Sequence, residues 1–241
     1  MGMHITIEVV DAWVTQQDID SLFAYFTYID ETFSTYKATS EISRINAGTL
    51  PKSNYGSDMK KVLTLCEQTK QETNGYFDIF HDGKLDPSGL VKGWAILEVS
   101  RILKKKGFKN FYVDAGGDVQ VSGKNALGNA WSIGIRNPFN EEEIIKVVTI
   151  GDEGIATSGT SMRGQHIYNP HAPGDRICDI LSITVIGKNV YEADRFATAA
   201  FAMGGKGITF IEILPGVEGY MIDKNGIATY TTGFNQFVIP N

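Results

Sequence analysis

This chain has little that would cross a bilayer or cross-link itself. No run approaches the ~18 consecutive apolar residues of a membrane-spanning helix, so no membrane segment is expected. Its only cysteines, Cys66 and Cys178, lie far apart in neither a CxxC nor a zinc-ligand spacing. A dithiol redox centre and a zinc site are therefore without support. Cys66 falls on the apolar stripe of a helical pattern, and both thiols are expected to be buried as small hydrophobes. Positive charge is also scarce: 22 Lys and Arg against 28 Asp and Glu leave a formal charge of −6. Such a field does not favour a polyanion. The dense basic run, Lys104-Lys105-Lys106, sits at an expected helix end, where cations suit the dipole, and nucleic acid is not an expected partner. The first residues alternate like a strand, with neither a basic start nor a cleavage site. They are no signal peptide, and a cytoplasmic location is expected; the alternative is the core of an extracytoplasmic lipoprotein whose leader was removed.

What is present is 42% hydrophobic and 21% charged, with 26 glycines against 7 prolines, an ordinary folded composition. No repeat, low-complexity stretch or linker interrupts it, and a single unit over 1–241 is expected. Ile5, Ile7 and Val9 alternate as a half-buried strand. Thr15 and Asp18 form a capping-box pattern ahead of Ile19, Leu22, Phe23, Phe26, Ile29 and Phe33, which repeat at helical spacing; Phe23 is expected to be buried with the rest. Ser40 opens a short turn carrying Glu41, Ile42 and Ile45. Helices are predicted over 57–73, stopped by Asn74-Gly75, and from the Pro87-Ser88-Gly89 turn to Gly107. Strands follow over 108–114, 119–122, 131–136 and 144–150, with short Gly- or Asn-bearing links that read as hairpins. Residues 151–176 read as irregular. Beyond them come a strand over 180–186, an alanine-rich helix over 192–203, an ambiguous 208–214, and a hairpin of 219–222 with 226–230, and 234–238 finishes the chain. Grouped helices with antiparallel strands make an α+β fold.

Four polar, turn-rich blocks stand apart from any core. In Asp86-Pro87-Ser88-Gly89-Leu90-Val91-Lys92-Gly93 a turn hands into a helix, whose unpaired N–H groups can take an anion; Lys92 opposes the helix dipole unless an anion shares the space. Asp114-Ala115-Gly116-Gly117-Asp118 reads either as a hairpin turn or as backbone passing close to a ligand. It is not a dinucleotide fingerprint, since no crossover helix follows. Ile155 to Ser161, with Arg163 to Pro170, gathers hydroxyls, an arginine and His166, suited to a phosphate or to proton transfer. Asp194 and Thr198, four apart on one helix face, offer oxygen ligands acceptable to Mg²⁺. In each block a plain turn, surface or capping role competes with the functional one.

Read in chain order, these blocks carry a resemblance. Phe33-Ser34-Thr35-Tyr36, Ser40 to Asn46, Gly75-Tyr76-Phe77-Asp78, Asp86 to Gly93, Val113 to Asp118, Ala156 to Gly159, His166-Ile167 with Pro170, and Ala193 to Ala199 resemble the motifs of ApbE-type flavin transferases. That family moves FMN from FAD onto a threonine or serine of a target flavoprotein. The resemblance implies an ApbE-like, T-fold-like mixture of helices and antiparallel sheet around a central ligand cleft. It implies Mg²⁺ held by Asp194, Thr198 and the carbonyl of Gly89, and Lys92 reaching the FAD phosphates or ribityl region. Tyr36 would pack on the flavin or shape its pocket, with Glu41, Asp78 and Asp118 at the FAD site and Thr157, Ser158 and Gly159 lining it. His166 would accept the proton of the incoming hydroxyl as AMP leaves, with a metal-side carboxylate such as Asp194 the alternative catalytic base. FAD hydrolysis to FMN and AMP, or flavin binding without turnover, are the competing activities. Two departures from the family pattern are Asn169 in place of an aspartate before the proline, and a very short 78–86 segment.

Overall fold

Apolar spacing and capping chemistry account for most of the elements. The computed structural model describes residues 2–160 and 167–239. Along the chain run β1 (Ile5–Val9), α1 (Gln16–Phe33), α2 (Glu41–Asn46), α3 (Ser57–Glu72), β2 (Phe80–His81), β3 (Lys84–Leu85), α4 (Ser88–Lys105), β4 (Phe111–Ala115), β5 (Asp118–Ser122), β6 (Trp131–Asn137), β7 (Asn140–Ile150), β8 (Gly154–Gly159), β9 (Ile180–Gly187), α5 (Val190–Ala202), α6 (Gly207–Glu212), β10 (Glu218–Asp223) and β11 (Ala228–Tyr230). Thr15 and Asp18 close the capping box that opens α1, each backbone N–H meeting the other's side chain. Asn74 and Gly75, both at positive φ, end the run after α3.

Seven strands form one sheet in the order β1-β4-β5-β8-β9-β10-β11, with every neighbouring pair antiparallel. The mixed α+β architecture with antiparallel pairing is the one expected. Period-two alternation divides each strand between two layers. On one face, Phe111, Val113 and Ala115 of β4 meet Leu22, Phe26, Val62 and Ile96 of the helices, while α5 and α6 cover β8, β9 and β10. On the other face, Val119, Val121, Ile155 and Ile186 pack against Trp131, Val148 and Ile150 of the β6–β7 ribbon.

Three expectations fail locally, and two open stretches resolve. Phe23, one residue past Leu22 on α1, is exposed. The stretch read as irregular contains β8, hydrogen-bonded on both sides to β5 and β9; its small and hydroxyl residues carry little alternation. The ambiguous 208–214 falls mostly within α6, and 234–238 hold a 3-10 turn at Phe234–Phe237. Phe234 is buried against Tyr220, so one anchoring ring does the work that an alternating face would do. Cys178 is exposed, because it lies outside any element and ahead of β9. Cys66 is buried on α3, and burial pushes its thiol up to about 12.

Candidate active site

The approach of α4 to α5 builds the floor of the site. Gly89 and Gly93, one turn apart, face Val190, Asp194 and Thr198, themselves spaced by four on α5. A Cβ on Gly93 would stand 2.6 Å from Asp194 Cβ, and one on Gly89 2.9 Å from Thr198 Cγ2. Real Cβ atoms do not come so near, so the two glycines let the helix backbones close up. Two contacts result: the Gly93 N–H donates to Asp194 Oδ2 at 2.8 Å, and the Thr198 hydroxyl donates to the Gly89 carbonyl at 3.1 Å. A carboxylate, a hydroxyl and a carbonyl oxygen thereby converge from two helices.

Lys92, the fifth residue of α4, meets an anion. Its Nζ lies 2.7 Å from Asp118 Oδ2. Asp118 is 1% exposed and Asp194 3%, and the Thr157 N–H donates to the other Asp118 oxygen at 3.2 Å. Burial, reinforced by the charge of Asp118, drives the Asp194 carboxyl above the ordinary carboxylate range; Lys92 and the Gly93 N–H oppose it. Paired buried carboxylates beside a single ammonium favour a further cation. The oxygen set has the character that Mg²⁺ takes, typically one or two carboxylates with the remaining positions left to water or phosphate. Among the described residues no three His, Cys, Asp or Glu side chains cluster as a metal centre, so the fit rests on the hydroxyl and the carbonyl as well as on carboxylate.

Above this floor opens a cleft of about 1100 Å³, lined by residues from all four polar blocks, among them Lys92, Gly116, Ser158, Tyr168 and Asp194. Gly116 and Gly117, at φ 63° and 90°, make the two-residue β4–β5 turn, the conformation of a type I′ hairpin. The block is a hairpin turn, and its two glycines line the cleft. The short 78–86 segment folds into the β2–β3 hairpin at the rim. There the ring of His81 stacks on Tyr168 with centroids 3.9 Å apart, and the Tyr168 hydroxyl donates to the Asp78 carbonyl at 2.7 Å.

The model of the ApbE family matches residues 1–83 and 80–221. The chain belongs to the ApbE family. Among curated proteins it is 31% identical over 154 residues to the FAD:protein FMN transferase of Vibrio cholerae, covering 60% of this chain and 46% of that one. With the Escherichia coli K12 protein of the same name it shares 28% over 162 residues, 64% of this chain and 46% of the other. The chain thus spans about half the length of the curated relatives it matches. Solved structures agree over almost all of it. The flavin transferase ApbE of Vibrio cholerae superposes at a TM-score of 0.84, with 21% identity and 98% and 96% of the two chains covered. The ApbE protein of Thermotoga maritima gives 0.86, with 20% identity and 99% and 97% covered. At that identity the likeness establishes an ApbE-like fold.

Of the site residues expected in this ApbE-family chain, Gly89, Lys92, Asp194, Thr198, Thr157, Ser158, Gly159 and Asp78 all line the cleft, with Asp118 beneath Lys92. Two stand elsewhere. Tyr36, in the turn between α1 and α2, is 98% exposed, because Phe33 and Ile42 on either side take the buried positions. Glu41, in the first turn of α2, instead accepts the Gly56 N–H at 2.7 Å ahead of α3. Asp78 lines the rim with its carboxylate engaged by Lys70 at 2.7 Å. Asn169 accepts the His171 N–H at 2.9 Å, closing a local turn. His166 lies outside the described residues. The cleft also has lining residues that the motifs did not single out: His4 and Thr6 on the β1 side, and Ser132, Arg136 and Asn137 from the β6–β7 ribbon. The alternation of Trp131, Ile133 and Ile135 marks Ser132 and Arg136 as a polar face, but a polar face signals solvent as readily as a ligand.

Proposed function

We propose that this chain is an Mg²⁺-dependent FAD:protein FMN transferase, moving FMN from FAD to a threonine or serine hydroxyl of an acceptor flavoprotein with release of AMP. The observation that carries the reading is the convergence of Gly89, Asp194 and Thr198 beside Lys92 on the floor of the cleft. Membership of the ApbE family and the names of the curated relatives supply the chemistry. Bound there, Mg²⁺ would neutralise pyrophosphate oxygens and hold them in place. The chain's residues do the rest. Lys92 draws in the phosphates, and the Gly116-Gly117 turn admits backbone close to the ligand. The β8 residues Thr157 to Gly159 form one wall. The acceptor oxygen attacks the FMN phosphorus, the pyrophosphate bond breaks, and AMP leaves with the bridging oxygen. The hydroxyl proton goes to a base, for which His166 is our assignment and a metal-side carboxylate the competitor. Positioning and charge neutralisation suffice, and no covalent enzyme intermediate is required.

The test is incubation with FAD, Mg²⁺ and a candidate flavoprotein domain, followed by intact mass of that domain. Acceptor carrying FMN, with AMP released in equal amount, is the expected result. Free FMN and AMP beside an unmodified acceptor would make the chain a hydrolase of FAD, and FAD left intact would make it a flavin-binding protein.

A further inference from the structure

Gln120 lies 2% exposed in the middle of β5, on the face that looks toward the helices. A buried primary amide is costly unless its donors and acceptor are met. Here Oε1 accepts the Val190 N–H at 2.9 Å. Nε2 donates to the carbonyls of Val121 at 3.0 Å, Asp152 at 2.9 Å and Glu153 at 3.2 Å. One side chain therefore joins β5, the turn leading into β8, and the start of α5. Val190 is the first residue of α5, and its N–H is one that the helix itself cannot satisfy. The Asn189 cap serves the Glu192 N–H at 3.0 Å, so the Val190 N–H depends on Gln120. The joint is tight: a Cβ on Gly154 would fall 1.9 Å from the Val190 nitrogen.

What hangs from this joint is the site. Val190, Asp194 and Thr198 form one stripe of α5, and a helix moves as a rod rising about 1.5 Å per residue. A displacement of Val190 is carried to both other residues. At the other end of the strut, Asp118 precedes Gln120 by two residues on the same face of β5, about 7 Å away, and holds Lys92. The hydrogen bonds of the Gln120 amide therefore help set the spacing between the Asp118–Lys92 pair on one side and Asp194–Thr198 on the other.

We propose that Gln120 is a positioning residue. Its amide struts α5 off β5 so that the oxygen ligands and the lysine stay in register for a cation and a pyrophosphate. The proposal rests on the Mg²⁺-dependent reading above. Its test is binding of Mn²⁺, as a probe for the Mg²⁺ site, to the full chain, followed by the loss of the free-ion electron paramagnetic resonance signal. Gln120→Met keeps the length of the side chain and removes its hydrogen bonds. It should weaken Mn²⁺ binding by about 10–100-fold, the range for partners that orient metal ligands, and raise the apparent KM for Mg²⁺ more than it lowers kcat at saturating Mg²⁺. Val121→Ala, the next residue on β5 but facing the opposite layer, is the control: it should lower the melting temperature while leaving Mn²⁺ affinity at the parent value. Should the Met variant not fold, Gln120→Asn keeps the amide on an arm too short to span the joint and gives the same reading. Parent-like Mn²⁺ affinity in the Gln120 variant, or an equal loss in Val121→Ala, overturns the proposal alone. A parent chain that binds no Mn²⁺ overturns the metal reading and this proposal together.

Discussion

A buried carboxylate is unstable by itself, and the site holds Asp118 and Asp194 within reach of a single lysine. Each of the polar side chains on the floor therefore has a separable consequence. Asp194→Ala removes a charged oxygen, whereas Thr198→Ala removes a neutral one. Both retain α5, because alanine is the best helix former. On our reading, turnover at limiting Mg²⁺ should fall by about 10²–10³-fold for Asp194→Ala, the scale of losing one preorganised electrostatic group, and by less for Thr198→Ala. Equal turnover in parent and both variants would remove them from the metal site. Lys92 carries a stability consequence as well. Lys92→Met leaves Asp118 buried without its ammonium, a break that costs about 3–5 kcal/mol in buried pairs. The double variant Lys92→Met/Asp118→Asn, which removes the stranded charge, should recover most of the lost melting temperature. If it recovers none, the pair does not hold the floor together.

Between elements, the decisive contact is the α4–α5 crossing. Gly93→Ala adds a methyl 2.6 Å from Asp194 Cβ and 2.7 Å from the Val190 carbonyl oxygen. In a free helix the change would stabilise by about 1 kcal/mol. Here overpacking of about 1–3 kcal/mol opposes that gain, so a lowered denaturation midpoint is expected, with weakened FAD binding as α5 is pushed away. A midpoint raised above the parent's would mean that the crossing is loose. The other end of α4 is tied to α1 by Lys106 and Asp18, 2.6 Å apart. The Lys106 side chain first, then the hydroxyl and N–H of Thr15, bring the Asp18 carboxyl down to about 2. A carboxyl lowered on folding stabilises the native state above its unfolded value of about 3.9, and that contribution is lost as pH falls through about 2. Asp18→Asn should therefore lower the melting temperature at neutral pH, and its difference from the parent should shrink on acidification across that window. Elements like these were legible from the chain because their signals are local: Thr15 and Asp18 cap, and Asn74-Gly75 stop. β8 was not, since Ala156, Thr157 and Ser158 carry no hydrophobic alternation and its ladders to β5 and β9 come from distant sequence. Tyr36 and Glu41 belong to a motif block that packs on α1 and, through Asn46, on Leu85 of β3, with neither side chain in the cleft, and motif order along a chain does not say which side chains turn inward.

Taken whole, the molecule places no single layer in charge of the cleft. The helices supply Lys92, Asp194 and Thr198, the sheet supplies Asp118 and Thr157, and the β6–β7 ribbon supplies Ser132 and Arg136. A ligand that touches all three layers links their stabilities, because it binds the folded arrangement and not the unfolded chain. At a concentration 100 times its Kd, such a ligand adds about 2.7 kcal/mol. For a domain of roughly this size that corresponds to a rise in melting temperature of about 5–10 °C. FAD with Mg²⁺ should produce that rise in the parent chain. FAD with a chelator should produce less, since Asp118 and Asp194 then face the pyrophosphate without a cation between. On our reading of Asp194 as a metal ligand, the two conditions should give nearly the same shift in Asp194→Ala. The measurement separates cleft from metal without any acceptor protein: a shift that ignores Mg²⁺ in the parent would leave FAD in the cleft and take the metal out of the site, and no shift with FAD under either condition would take the dinucleotide out of the cleft.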